Sequence, residues 1–175
     1  MNIYDMRIQY TVVKAGENVR LNTSERLVSY MLGAFDDDPT CEWFCVIPTD
    51  QKLNPVGRMI INKGNAISTQ VNVAGLFKAV ILASAPAMFI VHNHPSGDPA
   101  PSKADRLVTG DLVRAARLLQ IRLVDHVVIG TPEADPKGVG YYSFQENDDL
   151  IYDQSRHLKR SIERKVKRIP LITKP

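Results

Sequence analysis

Cysteine is scarce in this chain of 175 residues: Cys41 and Cys45 are the only two. Two thiols four positions apart make no disulfide framework and too few soft ligands for a structural zinc finger, so free, buried thiols are expected. Long apolar runs are missing as well. Runs such as 79–83 and 86–91 fall far short of a bilayer span. The first 13 residues mix polar and apolar types from the start, so no secretory leader is expected. Internal repeats and low-complexity tracts are absent, which excludes solenoid and fibrous classes. With 44% hydrophobic residues the chain can bury a core. The expected setting is soluble, reducing and cytoplasmic.

A dominant charge is lacking too, but the net +3 is unevenly divided. Residues 151–175 hold eight Lys/Arg and two acids, a net of +6, which leaves −3 for the other 150. That split concerns partners rather than fold. Residues 1–150 are expected to form one domain, and residues 151–175 a basic, helical tail.

Along the chain, residues 8–13 alternate and end in β-branched types, as a strand does. Asn22, Thr23 and Ser24 can cap a helix over 25–32, with Gly33 at its end. Residues 43–47 and 56–61 predict two strands joined as a hairpin around a turn at 50–54. Residues 72–83 carry helical apolar spacing, and 87–94 predict a third strand. Residues 95–101 hold three prolines and a glycine and predict a loop. Ser102 and Asp105 then suit a capping box for a helix reaching about residue 119, whose expected buried stripe is Leu107, Leu112, Ala115, Ala116 and Leu119. A strand at 122–129, a Gly/Pro loop at 131–140 and a short strand at 141–144 follow. The alternation predicts an α/β class with a mixed sheet.

His92-Asn93-His94 sits where the apolar third strand ends. Side chains two apart on a strand share a face, with Cα atoms about 7 Å apart, so both imidazoles can reach one ion. Alone, such a pair describes polar residues at a strand exit as readily as ligands. The rigid loop changes the reading, because it leads to a helix whose first turn presents Asp105 beside that exit. His92, His94 and Asp105 can thus form a three-ligand site with an open fourth position, the arrangement of a catalytic rather than a structural zinc. Asp125 and His126 lie inside an apolar strand and point to opposite faces. They are candidates for a supporting role, in particular Asp125 as the carboxylate that orients a ligating histidine.

The joined pattern His92, His94, Ser102, Asp105 resembles the signature of the Jab/MPN (JAMM) metalloprotease domain. The fuller string from His92 through Pro99, with Pro101, Ser102 and Asp105, is similar to the RadC-like branch, as is Leu123 to Gly130. The resemblance runs from about Glu42 to Phe144. It implies a cytidine-deaminase-like mixed sheet flanked by helices and one Zn2+ per chain. It implies Glu42 as general base and Ser102 as a hydrogen-bond donor to the developing oxyanion, in hydrolysis of a peptide or isopeptide bond. Ala74-Gly75 departs from the Arg-Glu of many RadC-like chains. With 41 residues before Glu42, a helix-hairpin-helix region is expected to be absent.

In the tail, Leu158, Ile162, Val166 and Ile169 recur at helical spacing. Lys159, Arg160, Arg164, Lys165, Lys167 and Arg168 lie between them. Three readings stay open: a helix docked on the body, a DNA-backbone contact and an oligomer contact. Only Tyr152 offers a ring for base stacking there. The alternative function is therefore a DNA-repair-associated binding protein without protease activity. No membrane partner is expected.

Overall fold

The computed structural model describes residues 19–64 and 71–150. The strand expected at 8–13 and the tail at 151–175 lie outside the described residues. The element order is α1 (Ser24–Tyr30), β1 (Glu42–Thr49), β2 (Met59–Gly64), α2 (Val73–Leu82), β3 (Ala87–Asn93), α3 (Lys103–Leu118), β4 (Arg122–Ile129) and β5 (Tyr141–Ser143). The strands form one sheet in the order β2-β1-β3-β4-β5. β1 runs antiparallel to both β2 and β3, β3 and β4 are parallel, and β5 is antiparallel to β4. The fold is a mixed α/β sheet with helices, as the patterning predicted. Among the described residues no helix is long and apolar enough to cross a membrane.

The two faces of the sheet bury different residues by strict alternation. Phe44, Val46, Met88 and Ile90 join Leu76, Phe77 and Val80 of α2 and Leu112 and Ala116 of α3 in one core. Cys45, Ile47, Phe89 and Val91 join Leu27 and Met31 on and beside α1 in the other. Strands covered on both faces read as unbroken apolar runs, which is why β1 and β3 carry almost no polar residue before their ends.

Three expectations are corrected. β2 begins at Met59, not at 56, because the connection is longer than a tight turn. Asp50 accepts hydrogen bonds from the N–H groups of Lys52 and Asn54, and Thr49 bridges to Pro55 before pairing resumes at Val46–Met59. On α3, Leu107 is 72% exposed and Leu119 42% exposed. Leu112 and Ala116 are buried as expected, joined by Asp105, Thr109 and Val113 rather than by the two leucines. The buried face is rotated because its first turn covers polar side chains at the strand ends rather than the apolar core.

The third correction lies in β4. The pairs Met88–Leu123 and Phe89–Asp125 leave Val124 as an inserted residue. This bulge reverses the phase of the strand. Leu123 packs in the α2/α3 core, whereas Val124 packs on the α1 side. Asp125 then turns toward Ser24 of α1, and His126, paired with Ile90, turns toward Thr109 of α3. Asp125 is thus on the sheet face away from the histidines, and it is His126 that meets His92.

Candidate metal centre

Glu42 opens β1, His92 is the penultimate residue of β3, His94 follows that strand, and Asp105 lies in the first turn of α3. One ligand atom from each falls within 4.8 Å of the others. The His92 and His94 Nε2 atoms are 3.1 Å apart. The Asp105 carboxylate oxygens lie 3.3 Å from His92 Nε2 and 3.6 Å from His94 Nε2. His92 is fully buried and Asp105 is buried, while Glu42 and His94 are half-buried. The cluster is therefore closed at His92 and Asp105 and reached by solvent beside Glu42 and His94.

Local structure fixes each member. Ser102 and Asp105 form the predicted capping box: the Asp105 N–H donates to Ser102 Oγ at 3.2 Å, and the Ser102 N–H donates to Asp105 Oδ2 at 2.7 Å. The cap thus orients the carboxylate toward the histidines. Ser102 itself is exposed at the rim. Its cap bond uses a hydroxyl lone pair, so its O–H is not consumed by the cap. His94 Nδ1 lies 2.7 Å from the Asp98 carbonyl, which can only accept, so the proton is on Nδ1 and Nε2 presents a lone pair to the cluster. The loop carrying His94 is stitched to the end of β4. The His94 N–H donates to the Ile129 carbonyl and the Thr131 N–H to the Gly97 carbonyl. Gly130 permits that approach, since a Cβ there would stand 2.1 Å from the Gly97 carbonyl oxygen.

Asn93, between the two histidines, clamps Glu42. The β1–β3 ladder ends at Phe44–His92. One residue on, the Trp43 N–H donates to Asn93 Oδ1 at 2.8 Å, and Asn93 Nδ2 donates to the Cys41 carbonyl at 3.0 Å. One amide thus holds the backbone on both sides of Glu42. The Lys63 ammonium lies over the Trp43 ring and pairs with Asp38, which also accepts from the partly buried Cys41 thiol. Burial pushes the Cys45 thiol up to about 12. Both cysteines are free and neither belongs to the cluster.

Behind the cluster, Phe44 stacks on His92, and Phe144 stacks on His126 at a centroid distance of 4.8 Å. Burial holds the His126 ring neutral, well below the usual histidine range. Burial also opposes charge on Asp105, yet the adjacent His92 and His94 rings draw its carboxyl far below the ordinary range. For His94, burial disfavours the cation, but the Asp105 carboxylate and the Asp98 carbonyl outweigh it and raise the pKa. Asp125 accepts from Ser143 Oγ, Ser24 Oγ and the N–H groups of His126 and Gln145. It therefore organises α1 and the turn after β5, not a ligating histidine.

The donor chemistry fits a zinc ion. The Asp105 carboxylate faces two imidazoles, at 3.3 and 3.6 Å. Two imidazole Nε2 atoms and one carboxylate converge, with Glu42 beside the remaining approach, and such a nitrogen–oxygen set with three protein ligands suits a catalytic zinc. Sequence reasoning missed Asn93 and Thr109. Thr109 carried a readable signal, because it lies one helical turn beyond Asp105 and shares its face.

The sheet and this cluster define a JAB/MPN-like α/β domain with a candidate metal site where its central strands end. The family profile described as RadC-like JAB domain matches residues 21–149, and the chain belongs to that family. A UPF0758 protein of Thermotoga maritima is 40% identical over 105 residues, covering 60% of this chain and 44% of the relative. A UPF0758 protein of Chlorobium phaeovibrioides is 36% identical over 137 residues, covering 78% of this chain and 58% of the relative. The chain thus spans about half the length of the curated relatives it matches.

Proposed function

We propose that this domain is a zinc-dependent hydrolase that cleaves an amide bond, in a peptide or an isopeptide. The observation that carries the reading is the convergence of His92 Nε2, His94 Nε2 and the buried Asp105 carboxylate, with Glu42 within 4.8 Å. His92, His94 and Asp105 would hold the ion, which when bound supplies Lewis acidity and lowers the pKa of water to about 7. Glu42 takes a proton from the attacking water on a carboxylate oxygen and delivers it to the leaving nitrogen. The Ser102 hydroxyl donates to the substrate carbonyl oxygen as it becomes anionic. The phenyl ring of Phe44 and the buried histidines keep bulk water from the closed side of the cluster.

The test is metal analysis of wild type, His94→Ala and Asp105→Ala by mass spectrometry, followed by a peptide and isopeptide substrate screen with Glu42→Gln as control. About one zinc per chain, lost in both ligand variants, supports the site. Glu42→Gln should keep zinc and lose turnover. A wild type that takes up no zinc on reconstitution overturns the proposal. The +6 charge of residues 151–175 favours a second reading, a DNA-backbone contact through Lys159, Arg160, Arg164, Lys165, Lys167 and Arg168. Truncation at Asp153 should then abolish salt-sensitive DNA binding, and unchanged binding refutes it.

A further inference from the structure

We infer that Thr109 and His126 are positioning residues that fix the proton of His92 on Nδ1 and so reserve its Nε2 for a cation. The inference rests on the metal reading above only for the last of those clauses. Thr109 Oγ1 lies 2.5 Å from the Asp105 backbone carbonyl and 2.6 Å from His126 Nδ1. His126 Nε2 lies 2.8 Å from His92 Nδ1. All three side chains are buried, and Phe44 and Phe144 wall the two rings, so no bulk water competes for these contacts.

The order of protons follows from what each atom can do. The threonine hydroxyl has one proton, and a carbonyl oxygen only accepts. Two oxygens 2.5 Å apart need that proton between them, so Thr109 donates to Asp105 and accepts from His126 Nδ1–H. His126 Nε2 is then bare and accepts from His92 Nδ1–H. His92 Nε2 is left with a lone pair directed at His94 Nε2 and Asp105. The reverse order would leave the two oxygens facing each other without a proton. It would also place the proton of His92 on Nε2, inside the cluster, where it blocks coordination. One hydroxyl on α3 therefore decides which nitrogen of His92 is a ligand, and through the Asp105 carbonyl it ties two ligand-bearing segments together.

Thr109→Val keeps the shape and removes the acceptor. The His126 Nδ1–H would then be unpaired in an apolar wall, so His126 shifts its proton to Nε2 and drives that of His92 to its own Nε2. Long-range 1H–15N correlation spectra of metal-free protein at mildly alkaline pH read both tautomers directly. The expected wild-type pattern is Nδ1–H on His92, His94 and His126. In Thr109→Val, His92 and His126 switch and His94, held by Asp98, does not. Zinc affinity, measured by competition with a chromophoric chelator, should fall about ten- to hundredfold. Thr109→Ser should restore both readouts. A wild-type His92 protonated on Nε2, or a folded Thr109→Val with unchanged tautomers and unchanged affinity, overturns the inference. Wild-type protein that keeps the proton order but takes up no zinc overturns the metal reading and leaves the order established.

Discussion

Replacing Asn93 with Ala tests whether one amide holds the base strand against the ligand strand. The Trp43 N–H is buried and has Asn93 Oδ1 as its partner at 2.8 Å, beyond the last β1–β3 ladder pair. Orphaning such a donor costs about 1–3 kcal/mol. The Cys41 carbonyl loses its 3.0 Å bond from Asn93 Nδ2 as well. That residue is only half-buried, so water replaces part of the bond, at about 0.5–1 kcal/mol. The expected loss is about 3 kcal/mol in urea unfolding of metal-free protein at unchanged m-value. Amide exchange at Trp43 should accelerate by more than that global loss explains, because the clamp is local. The ring contacts of His92 and His94 do not run through the Asn93 side chain. Zinc uptake should therefore survive while any hydrolysis that depends on Glu42 declines. A loss below about 0.5 kcal/mol, or Trp43 exchange that merely tracks global stability, would refute the clamp.

Burial dominates at Asp125 and raises its pKa from the ordinary 3.8 to about 6, against the four hydrogen bonds that favour its charge. The folded protein then holds this proton to higher pH than the unfolded chain does. The Asp125 contribution to stability is largest below the unfolded value and falls by about 3 kcal/mol as pH rises from about 4 to about 6. Asp125→Asn should remove that slope, so the difference from wild type grows across this window; a constant difference in denaturation series would refute the assignment. Gly130→Ala sets a Cβ 2.1 Å from a backbone carbonyl that no rotamer change can move. The expected result is a loss of about 3 kcal/mol and weakened zinc uptake through displacement of the His94 loop, and wild-type values for both would contradict the close approach.

Much of the fold was legible because local signals agreed with the tertiary outcome. The capping box at Ser102, the helix within 72–83 and the apolar runs of β1 and β3 each appear where the pattern placed them. What escaped was geometry that depends on a neighbouring strand. Nothing in Leu123-Val124-Asp125-His126 announces that Val124 is the inserted residue. Strict alternation from Leu123 would send Asp125 to the α3 face and His126 to the α1 face. The bulge exchanges them, and a carboxylate expected to serve a histidine serves α1 instead. Likewise the side chain of Asn93 reads in sequence only as the spacer of a histidine pair. Its two bonds to β1 exist because the ladder stops one residue earlier.

The positions where the amphipathic logic fails are informative as a set. An apolar stripe on α3 should have begun with leucine, but its buried face begins with Asp105 and Thr109, while Leu107 is left in solvent. Apolar strands β3 and β4 are interrupted on the same sheet face by His92 and His126. Each substitution of polar for apolar costs desolvation. Together the four satisfy one another through Thr109 and the paired rings, and they bring His92 Nε2 and the Asp105 carboxylate, which also accepts from the Ser102 N–H, against His94 Nε2 at the strand exit. Departures from local rules that converge in space are those expected of a binding centre. Here the convergence suits positive charge held by nitrogen and oxygen donors.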